Sequence, residues 1–253
     1  MLGIGLRNNM FERNVIFFPA GIPIRFHSAY DKDNHWRMTK EHRKYQTIAC
    51  NYNGHAIEPN SYDHCYNDKG YKWELVKRFL DTFDYKDYDY IGFWDDDLVT
   101  DIQSINRALE IAVQKDLKLF QLSTIAGSES THKILHQRPE LKYSITNFNE
   151  GMGQFVHSSL IPILLDFWKY HEVKSGWGLD LITCAITKQR AGVIHETSMY
   201  HPDRPSHYDK QSAFKEMDTI LNEIYPIFMK HKYGEIVGPY NEAQTEYEFT
   251  FKG

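Results

Sequence analysis

Residues 88–98 read Tyr-Asp-Tyr-Ile-Gly-Phe-Trp-Asp-Asp-Asp-Leu, an apolar run that ends in three consecutive carboxylates. The β-branched and aromatic residues of this run are typical of a buried strand. Three acids at the end of a strand repel one another, and a divalent cation with oxygen ligands removes that penalty. Because ligands of open α/β sheets bind at the carboxyl ends of strands, Asp95, Asp96 and Asp97 indicate a metal-binding active site. The alternative is a helix N-cap followed by two surface acids.

Predicted strands and helices alternate on both sides of this run, which indicates an α/β layered fold. Further apolar stretches predict strands over residues 14–21, 45–51, 117–124, 154–157 and 193–201. Helical spacing of apolar residues predicts helices over residues 73–83, 158–170, 180 to about 192, and 206–231. Thr100 and Gln103 form a capping-box pattern that predicts one more helix, through Ala112. The polar stretch 126–149 predicts a long loop near the site.

The composition narrows the class of protein. A length of 253 residues suffices for one large domain, and a net charge of -5 argues against binding nucleic acid through the overall field. No apolar run approaches the ~20 residues of a membrane-spanning helix, and the N-terminus is too short and polar for a signal peptide. Cys50, Cys65 and Cys184 fit neither a zinc motif nor a disulfide framework. We therefore predict buried free thiols and a cytoplasmic protein without a transmembrane segment.

A second motif is Gly176-Trp177-Gly178-Leu179-Asp180. The two glycines permit a tight turn that brings an indole face and a carboxylate to the same opening. Such a pair suits an acceptor sugar, because the ring stacks on the indole while the acid removes a hydroxyl proton. A structural Trp177, with Asp180 favoured by the dipole of the following helix, explains the same residues equally well.

The third segment runs from His195 to His201, at the end of the last predicted strand. An imidazole at that strand end would complete a metal shell formed with the acids. Only one of the two histidines can belong to that shell. At a rise of ~3.3 Å per residue their separation along a strand is roughly 20 Å, so we expect His201 in the shell and His195 outside it.

The order of these motifs resembles the GT-A glycosyltransferase fold and, more narrowly, the DUF707-type family, whose members carry Trp-Asp-X-Asp-Leu and a later Trp-Gly-Leu-Asp. The likeness covers roughly residues 70–205. It implies a GT-A-type, Rossmann-like mixed sheet flanked by helices, as a single domain over 1–253. Its nucleotide-sugar half would span about 14–125 and its acceptor half about 126–205, followed by a helical tail over about 206–253.

The resemblance also implies roles for individual residues. Asp97 becomes the main ligand of Mn²⁺ or Mg²⁺, with His201 as a second ligand, and Asp95 contacts both the metal and the donor. The Trp-Gly-Leu-Asp segment is similar to the Trp-Gly-X-Glu-Asp loop of inverting galactosyltransferases, whose Asp is the catalytic base, so Asp180 becomes the base. Leu179 replaces the Glu of that loop, and the acceptor contacts of that Glu are not transferred.

Further contacts follow from the same likeness. Asp96 and Lys72 would bind the donor, and Pro19 and Gly21 sit where GT-A enzymes receive the nucleotide base. Trp177 and Gly178 would line the acceptor site. The implied partners are a nucleotide-sugar donor and a glycan or other hydroxyl acceptor, with no nucleic acid. Asp180 as the base implies inversion of configuration.

Two other functions remain open from the residues. Asp95-Asp96-Asp97-Leu98-Val99 also fits the Asp-X-Asp-X-Val motif of haloacid dehalogenase-type phosphotransferases, in which Asp95 would be the nucleophile and Mg²⁺ the cofactor. That motif normally opens the chain, and no later Gly-Asp-X-X-X-Asp pair completes the site. A non-catalytic sugar-binding protein is the third interpretation, but binding alone requires no base.

Overall fold

The computed structural model describes residues 13–55, 57–58, 60–129, 132–203, 209–235 and 246–251. Within them the strands are β1 (Asn14–Ala20), β2 (Gln46–Asn51), β3 (His64–Asn67), β4 (Tyr90–Trp94), β5 (Leu119–Thr124), β6 (Leu141–Thr146), β7 (Gly153–His157), β8 (Ala191–Met199) and β9 (Glu246–Phe251). The α-helices are α1 (Lys72–Thr82), α2 (Ile102–Gln114), α3 (Ile161–Phe167), α4 (Leu179–Thr187), α5 (Lys210–Thr219) and α6 (Tyr225–Tyr233).

The strands of the described residues form one mixed sheet in the order β3-β2-β1-β4-β7-β5-β8-β6-β9. β1 runs parallel to β2 and β4, and β5 runs parallel to β8. β7 and β6 each run antiparallel to both of their neighbours. Helices pack on the sheet, so the predicted mixed α/β sheet flanked by helices is confirmed.

Alternate residues of a strand point to opposite faces of the sheet, and the core divides accordingly. In β1, Val15 and Phe17 belong to the core that contains residues of α1, α3, α4 and α6. Ile16 and Phe18 belong to the core that contains residues of α2. All four side chains are fully buried. Burial on both faces explains why this strand is an uninterrupted apolar run rather than an alternating one.

The start of α2 differs from the predicted capping box. Asp101, not Thr100, is the N-cap residue, and its carboxylate accepts a hydrogen bond from the backbone N–H of Ser104 at 2.8 Å. Thr100 instead donates its hydroxyl to the carbonyl of Ser198 at 2.7 Å. The capping prediction that relied on Thr100 and Gln103 is therefore wrong by one residue, because a contact distant in sequence uses the threonine.

Three strands were not predicted from the sequence. β6 lies inside the stretch 126–149, so the prediction of one long loop there is wrong. β3 occupies the polar segment before α1. The expected helical tail contains α5, a π-helical turn at Ile220–Ile224 and α6, but it ends in β9, which pairs with β6.

The bounds of the other elements also shift. β8 begins at Ala191 and ends at Met199, two residues before His201. Its register against β5 shifts between Leu122 and Ser123, so β8 is not a regular ladder. α3 is shorter than the helix predicted over 158–170, because a 3-10 turn at Ser158–Leu160 precedes it. The helix predicted to end near residue 192 is α4 and ends at Thr187.

Some expectations concern other parts of the chain. The N-terminal segment judged unlike a signal peptide lies within residues 1–12, outside the described residues, as do residues 204–208 and 236–245 of the expected tail. Cys50 and Cys184 are buried, but Cys65 is exposed, contrary to our expectation. In the described part of the chain, no helix has the length and apolar character needed to cross a membrane.

Candidate metal and sugar site

The candidate site lies where β4 ends and the three acids begin. β4 is completely buried and runs parallel to β1, so the segments that follow both strands emerge at the same edge of the sheet. Asp97 is fully buried, Asp96 is 4% exposed and Asp95 is partly exposed. Buried carboxylates carry a high desolvation cost, and such a cost is characteristic of functional sites.

Asp95, Asp97 and His201 form a compact group. Each offers one ligand atom, and these atoms all lie within 4.8 Å of one another. The Nε2 atom of His201 is 3.7 Å from an Oδ2 atom of Asp97. The sequence predicted that these three residues would lie together. Their role as ligands stays a prediction.

Backbone pairing brings His201 to the acids. Val99 and Tyr200 exchange two N–H···O bonds, at 2.9 and 2.8 Å, as an isolated antiparallel bridge. Because residues flanking such a bridge run side by side in opposite directions, His201 lies opposite the acids that precede Val99. The backbone N–H of Glu129 also donates to the carbonyl of His201 at 2.8 Å.

The ring of His201 is oriented by a second contact. Its Nδ1 atom lies 2.9 Å from the carbonyl oxygen of Glu129, which can only accept, so Nδ1 carries the proton. The lone pair is then on Nε2, the nitrogen that faces Asp97. An imidazole whose far nitrogen donates to a carbonyl is the usual arrangement of a metal-binding histidine.

Lys72 connects the acids to a neighbouring turn. Its Nζ atom donates to Oδ1 of Asp95 at 2.7 Å and to the carbonyl of Gly151 at 2.6 Å. The lysine side chain is only 16% exposed, so this pair is shielded from water more than a surface ion pair is. The predicted contact between Lys72 and the donor stays a prediction, and its present partners are Asp95 and the turn.

Asp96 faces the segment after β1. Its Oδ2 atom accepts hydrogen bonds from the backbone N–H groups of Gly21 at 2.7 Å and Ile22 at 3.0 Å. A Cβ at Gly21 would overlap the ring of Tyr52, so only glycine allows this close approach. Asp96 therefore fixes the loop that we expected to receive the nucleotide base, whereas a direct contact between Asp96 and the donor is untested.

Pro19 lies within β1, buried, and pairs with Cys50 of β2. The pairing of β1 with β4 extends only to Phe17, so Pro19 lies beyond that ladder and removes no hydrogen bond from it. It lies next to the loop at Gly21, and its proposed contact with a donor stays a prediction.

The glycines of the Gly176–Asp180 turn are required by its geometry. Gly176 has φ +79° and Gly178 has φ +96°, both in the left-handed region. A Cβ at Gly176 would overlap the indole of Trp73, and one at Gly178 would lie 3.3 Å from Met217. The predicted tight turn is therefore present, and it ends at the first turn of α4.

Helix α5 supports this turn from outside. Trp177 is partly buried and packs edge-on against Phe214, with ring centroids 4.8 Å apart. The carboxylate of Glu216 accepts the backbone N–H groups of Lys174 and Ser175, at 2.9 and 3.0 Å. Sequence reasoning assigned no role to α5 at the site.

Asp180 lies in the first turn of α4. Burial raises the pKa of its carboxyl to about 6, although the backbone N–H groups of Leu181 and Gly178 favour the ionised form. A carboxylate whose pKa is near the working pH is suited to accept a proton. The group of three potential metal ligands does not include Asp180.

Glu150, which sequence reasoning missed, is a further carboxylate at the site. Burial, followed by the charges of Asp180 and Asp95, raises its pKa to about 8. Its residue type within Asn-Glu-Gly is typical of a surface turn. The only signal in the sequence was that apolar residues, Phe148 and Met152, flank it on both sides, and both of these are buried.

His195 lies elsewhere in the molecule. It is fully buried, with Nε2 at 3.0 Å from the hydroxyl of Ser144 and 2.9 Å from a guanidinium nitrogen of Arg138. Among the described residues, His195 does not belong to the group formed by Asp95, Asp97 and His201, and its exclusion from a metal shell stays a prediction.

The donor set fits a hard divalent cation. Two carboxylates and one imidazole with its lone pair directed inward are ligands that Mn²⁺ accepts readily, and the carboxylates also suit Mg²⁺. Exposed acidic groups often lie close together without binding metal, but Asp97 is fully buried.

Comparison with known proteins yields one family. The model of the family described as "Protein of unknown function (DUF707)" matches residues 34–160, which is half of the chain. The matched stretch contains the three acids and Glu150, and it ends before Asp180 and His201. No curated protein matches the chain.

Structural comparison matches the chain to several solved structures. Residues 1–349 of TarS from S. aureus in complex with UDP-GlcNAc match with a TM-score of 0.53 and 8% identity, covering 86% of this chain and 66% of that one. The same TarS fragment in another crystal structure matches with a TM-score of 0.47 and 8% identity, covering 87% of this chain and 72% of that one. A197 from STIV matches with a TM-score of 0.37 and 14% identity, covering 78% of this chain and 100% of that one. At 8% identity, the likeness to the UDP-GlcNAc complex of TarS extends to the fold alone.

Proposed function

The chain belongs to the DUF707 family, and from that premise we propose that it is a metal-dependent glycosyltransferase with a nucleotide-sugar donor. The observation that carries the proposal is that ligand atoms of Asp95, Asp97 and His201 lie within 4.8 Å of one another at the end of a buried strand. Such a group is costly to a fold and is useful for holding a cation against a diphosphate.

The fold likeness to TarS supports the class of donor. The TarS fragment was solved with UDP-GlcNAc, a nucleotide sugar, and the chain shares 86% of its length with that fold. The loop at Gly21, fixed by Asp96, is the proposed site of the nucleotide, with Pro19 behind it. Binding at the carboxyl ends of strands is the usual location of ligands in such sheets.

In the proposed site, Asp97, Asp95 and His201 hold Mn²⁺ or Mg²⁺. The metal, when bound, supplies positive charge that stabilises the leaving nucleoside diphosphate. Lys72 keeps Asp95 oriented through its 2.7 Å bond, and it contributes a further positive charge beside the diphosphate. His201 keeps its proton on Nδ1, against Glu129, so Nε2 remains a ligand.

Asp180 is the proposed base of an inverting reaction. It removes the proton of the acceptor hydroxyl as that oxygen attacks the sugar carbon from the face opposite the diphosphate. A pKa of about 6 leaves it mostly ionised at neutral pH, yet basic enough to take the proton. Trp177 and Gly178 line the acceptor side of the turn, where the indole offers a surface for a sugar ring.

A panel of UDP-, GDP- and CMP-sugars tests the proposal, with Mn²⁺, with Mg²⁺ and with a chelator. We expect one donor class to release its nucleoside diphosphate only when metal is present. The same donor should raise the free energy of unfolding by roughly 2.7 kcal/mol at 100 times its Kd. An aryl phosphate in the panel separates this function from the phosphotransferase that would use Asp95 as nucleophile.

Asp97→Asn is the variant that tests the proposed metal site. It keeps the shape and lowers the repulsion among the acids, so the fold should survive while metal-dependent turnover is lost. Asp84→Asn is the matched control, because Asp84 is exposed and its side chain caps no helix. Near-normal turnover of Asp97→Asn in saturating Mn²⁺ would remove this residue from the site. Aryl phosphate hydrolysis without any nucleotide-sugar turnover would overturn the proposed function.

A further inference from the structure

A cluster of buried amide side chains lies beneath Glu150. Gln121 of β5 and Gln154 of β7 are paired across neighbouring strands, and both are almost completely buried. Asn149 is also fully buried, and its Nδ2 atom donates to Oε1 of Gln154 at 2.9 Å. The backbone N–H of Glu150 donates to Oε1 of Gln121 at 2.7 Å. These bonds fix the turn that carries Glu150.

Three polar atoms of this cluster have no hydrogen-bond partner among the described residues. They are Nε2 of Gln121, Oδ1 of Asn149 and Oε2 of Glu150. An unsatisfied buried polar atom destabilises a fold, and native folds contain few of them. Nε2 of Gln121 can donate, Oδ1 of Asn149 can accept, and the carboxyl of Glu150 can accept or, when protonated, donate. Such a set matches hydroxyl groups, which both donate and accept.

The first turn of α1 places this cluster within the site. Lys72 joins the carbonyl of Gly151, the residue after Glu150, to Asp95. The indole of Trp73 lies directly against both Gly151 and Gly176, the start of the turn that leads to Asp180. The Glu150 turn therefore adjoins both Asp95, through Lys72, and the turn that leads to Asp180, through Trp73.

We propose that Glu150, with Asn149 and Gln121, binds hydroxyl groups of the sugar that is transferred. The inference rests on the proposed function. A sugar joined to a diphosphate at the metal, and attacked by an acceptor at Asp180, must lie between those two places. The Glu150 turn adjoins both. A nucleoside diphosphate bound at the metal would lack the sugar hydroxyl groups that this cluster binds.

This assignment makes Glu150 a residue that determines specificity, and not the base. It predicts a difference between two ligands that share everything except the sugar. Removing the carboxyl should weaken binding of the nucleotide sugar and leave binding of the matching nucleoside diphosphate unchanged. A purely structural role would change both affinities together.

The experiment measures both affinities by calorimetry with Mn²⁺, using the donor identified in the panel and its nucleoside diphosphate. Glu150→Leu removes the hydrogen-bonding capacity of the carboxyl, and the fold should tolerate it because it replaces a buried, unpartnered Oε2 atom with an apolar group. We expect nucleotide-sugar affinity to fall roughly ten- to a hundredfold, with nucleoside diphosphate affinity unchanged. Glu150→Gln, which offers an acceptor and a donor in nearly the same shape, should recover most of the loss.

Glu140→Leu is the matched control, because Glu140 is an exposed carboxylate on the turn before β6. Equal effects of Glu150→Leu on both ligands, or none on either, would overturn the inference while the proposed function stands. Normal nucleotide-sugar binding with lost transfer would also overturn it, because Glu150 would then be the base. Failure of the unaltered protein to bind any nucleotide sugar would overturn the proposed function and this inference together.

Discussion

At the scale of single residues, Asp180 offers the most direct chemical test. Asp180→Asn keeps the shape of the side chain but cannot take a proton. General-base assistance is typically worth ~10²–10⁴-fold in rate, so transfer should fall by about that factor while donor and metal binding persist. Product release assays with saturating donor and acceptor measure the transfer rate. Calorimetry measures the binding of donor and metal. Lost donor binding with intact transfer would instead make Asp180 a donor ligand.

The same residue predicts a pH dependence. Burial raises the pKa of Asp180 from 3.8 to about 6, so the ionised form that acts as base is present above that pH. Transfer should therefore decline about tenfold per unit as the pH falls below 6. The stability of the fold should depend on pH in the opposite direction. Because the folded state favours the protonated Asp180, its contribution to the free energy of unfolding is full below pH 3.8 and is lost as the pH rises through about 6. A rate profile of Asp180→Asn without the limb near pH 6 would agree with the assignment.

The two histidines before the Pro202 loop should respond differently to substitution. His201→Ala should raise the Mn²⁺ concentration for half-maximal turnover by at least roughly tenfold, because a ligand of the shell is lost. His195→Ala removes contacts to Ser144 and Arg138 in the core, so it should lower the melting temperature and leave the metal requirement unchanged. Metal titrations of both variants measure the metal requirement, and melting curves recorded in parallel measure the change in stability. The reverse ranking would contradict the proposed shell.

How far the site was predictable depends on where its contacts lie in the sequence. Asp95 and Asp97 follow an apolar strand directly, so a local pattern indicated them. His201 was predicted from its place after a strand. The antiparallel bridge between Val99 and Tyr200 explains why it lies close to the acids. Glu150 had only its apolar neighbours Phe148 and Met152 as a local signal, because the contacts that hold its turn come from Gln121 on another strand and from Trp73 of α1, which lies against Gly151. Such contacts depend on the fold as a whole.

At the scale of elements, the turn before α4 makes a prediction about stability. Gly176→Ala and Gly127→Ala both introduce a side chain at positive φ, +79° and +85°. At Gly127 no atom lies within 4 Å of the new Cβ, so the cost should be only about 1–2 kcal/mol. At Gly176 the Cβ overlaps the indole of Trp73, and the loss should exceed about 3 kcal/mol. Urea unfolding of both variants measures this, and equal losses would show that Trp73 moves freely.

The elements themselves were predicted unequally, for a physical reason. β1 and β4 are buried on both faces and therefore have continuous apolar sequences, which a local reading detects. β6 alternates with polar residues such as Lys142 and Ser144, and β3 has only four residues. Their pairing with neighbouring strands, rather than their own composition, makes them strands.

At the scale of the whole molecule, β9 closes one edge of the sheet. It pairs antiparallel with β6, from Thr146 beside Glu246 to Leu141 beside Phe251. A chain ending at residue 235 would leave the N–H and C=O groups of β6 without this cover, and exposed edges recruit other chains. We expect that variant to form larger assemblies than a chain ending at 251, as measured by light scattering after size-exclusion chromatography. The same oligomeric state for both would show that β6 needs no cover.

The pairing of β6 with β9 also bears on how the protein is made. The two strands are separated by 100 residues, from Thr146 to Glu246. At a synthesis rate of roughly 5–20 residues per second, β6 leaves the ribosome about 5–20 s before the strand that will cover it. Throughout that interval the rest of the sheet can assemble while one edge stays bare. A chaperone that protects this protein during translation would therefore be expected to hold the β6 edge.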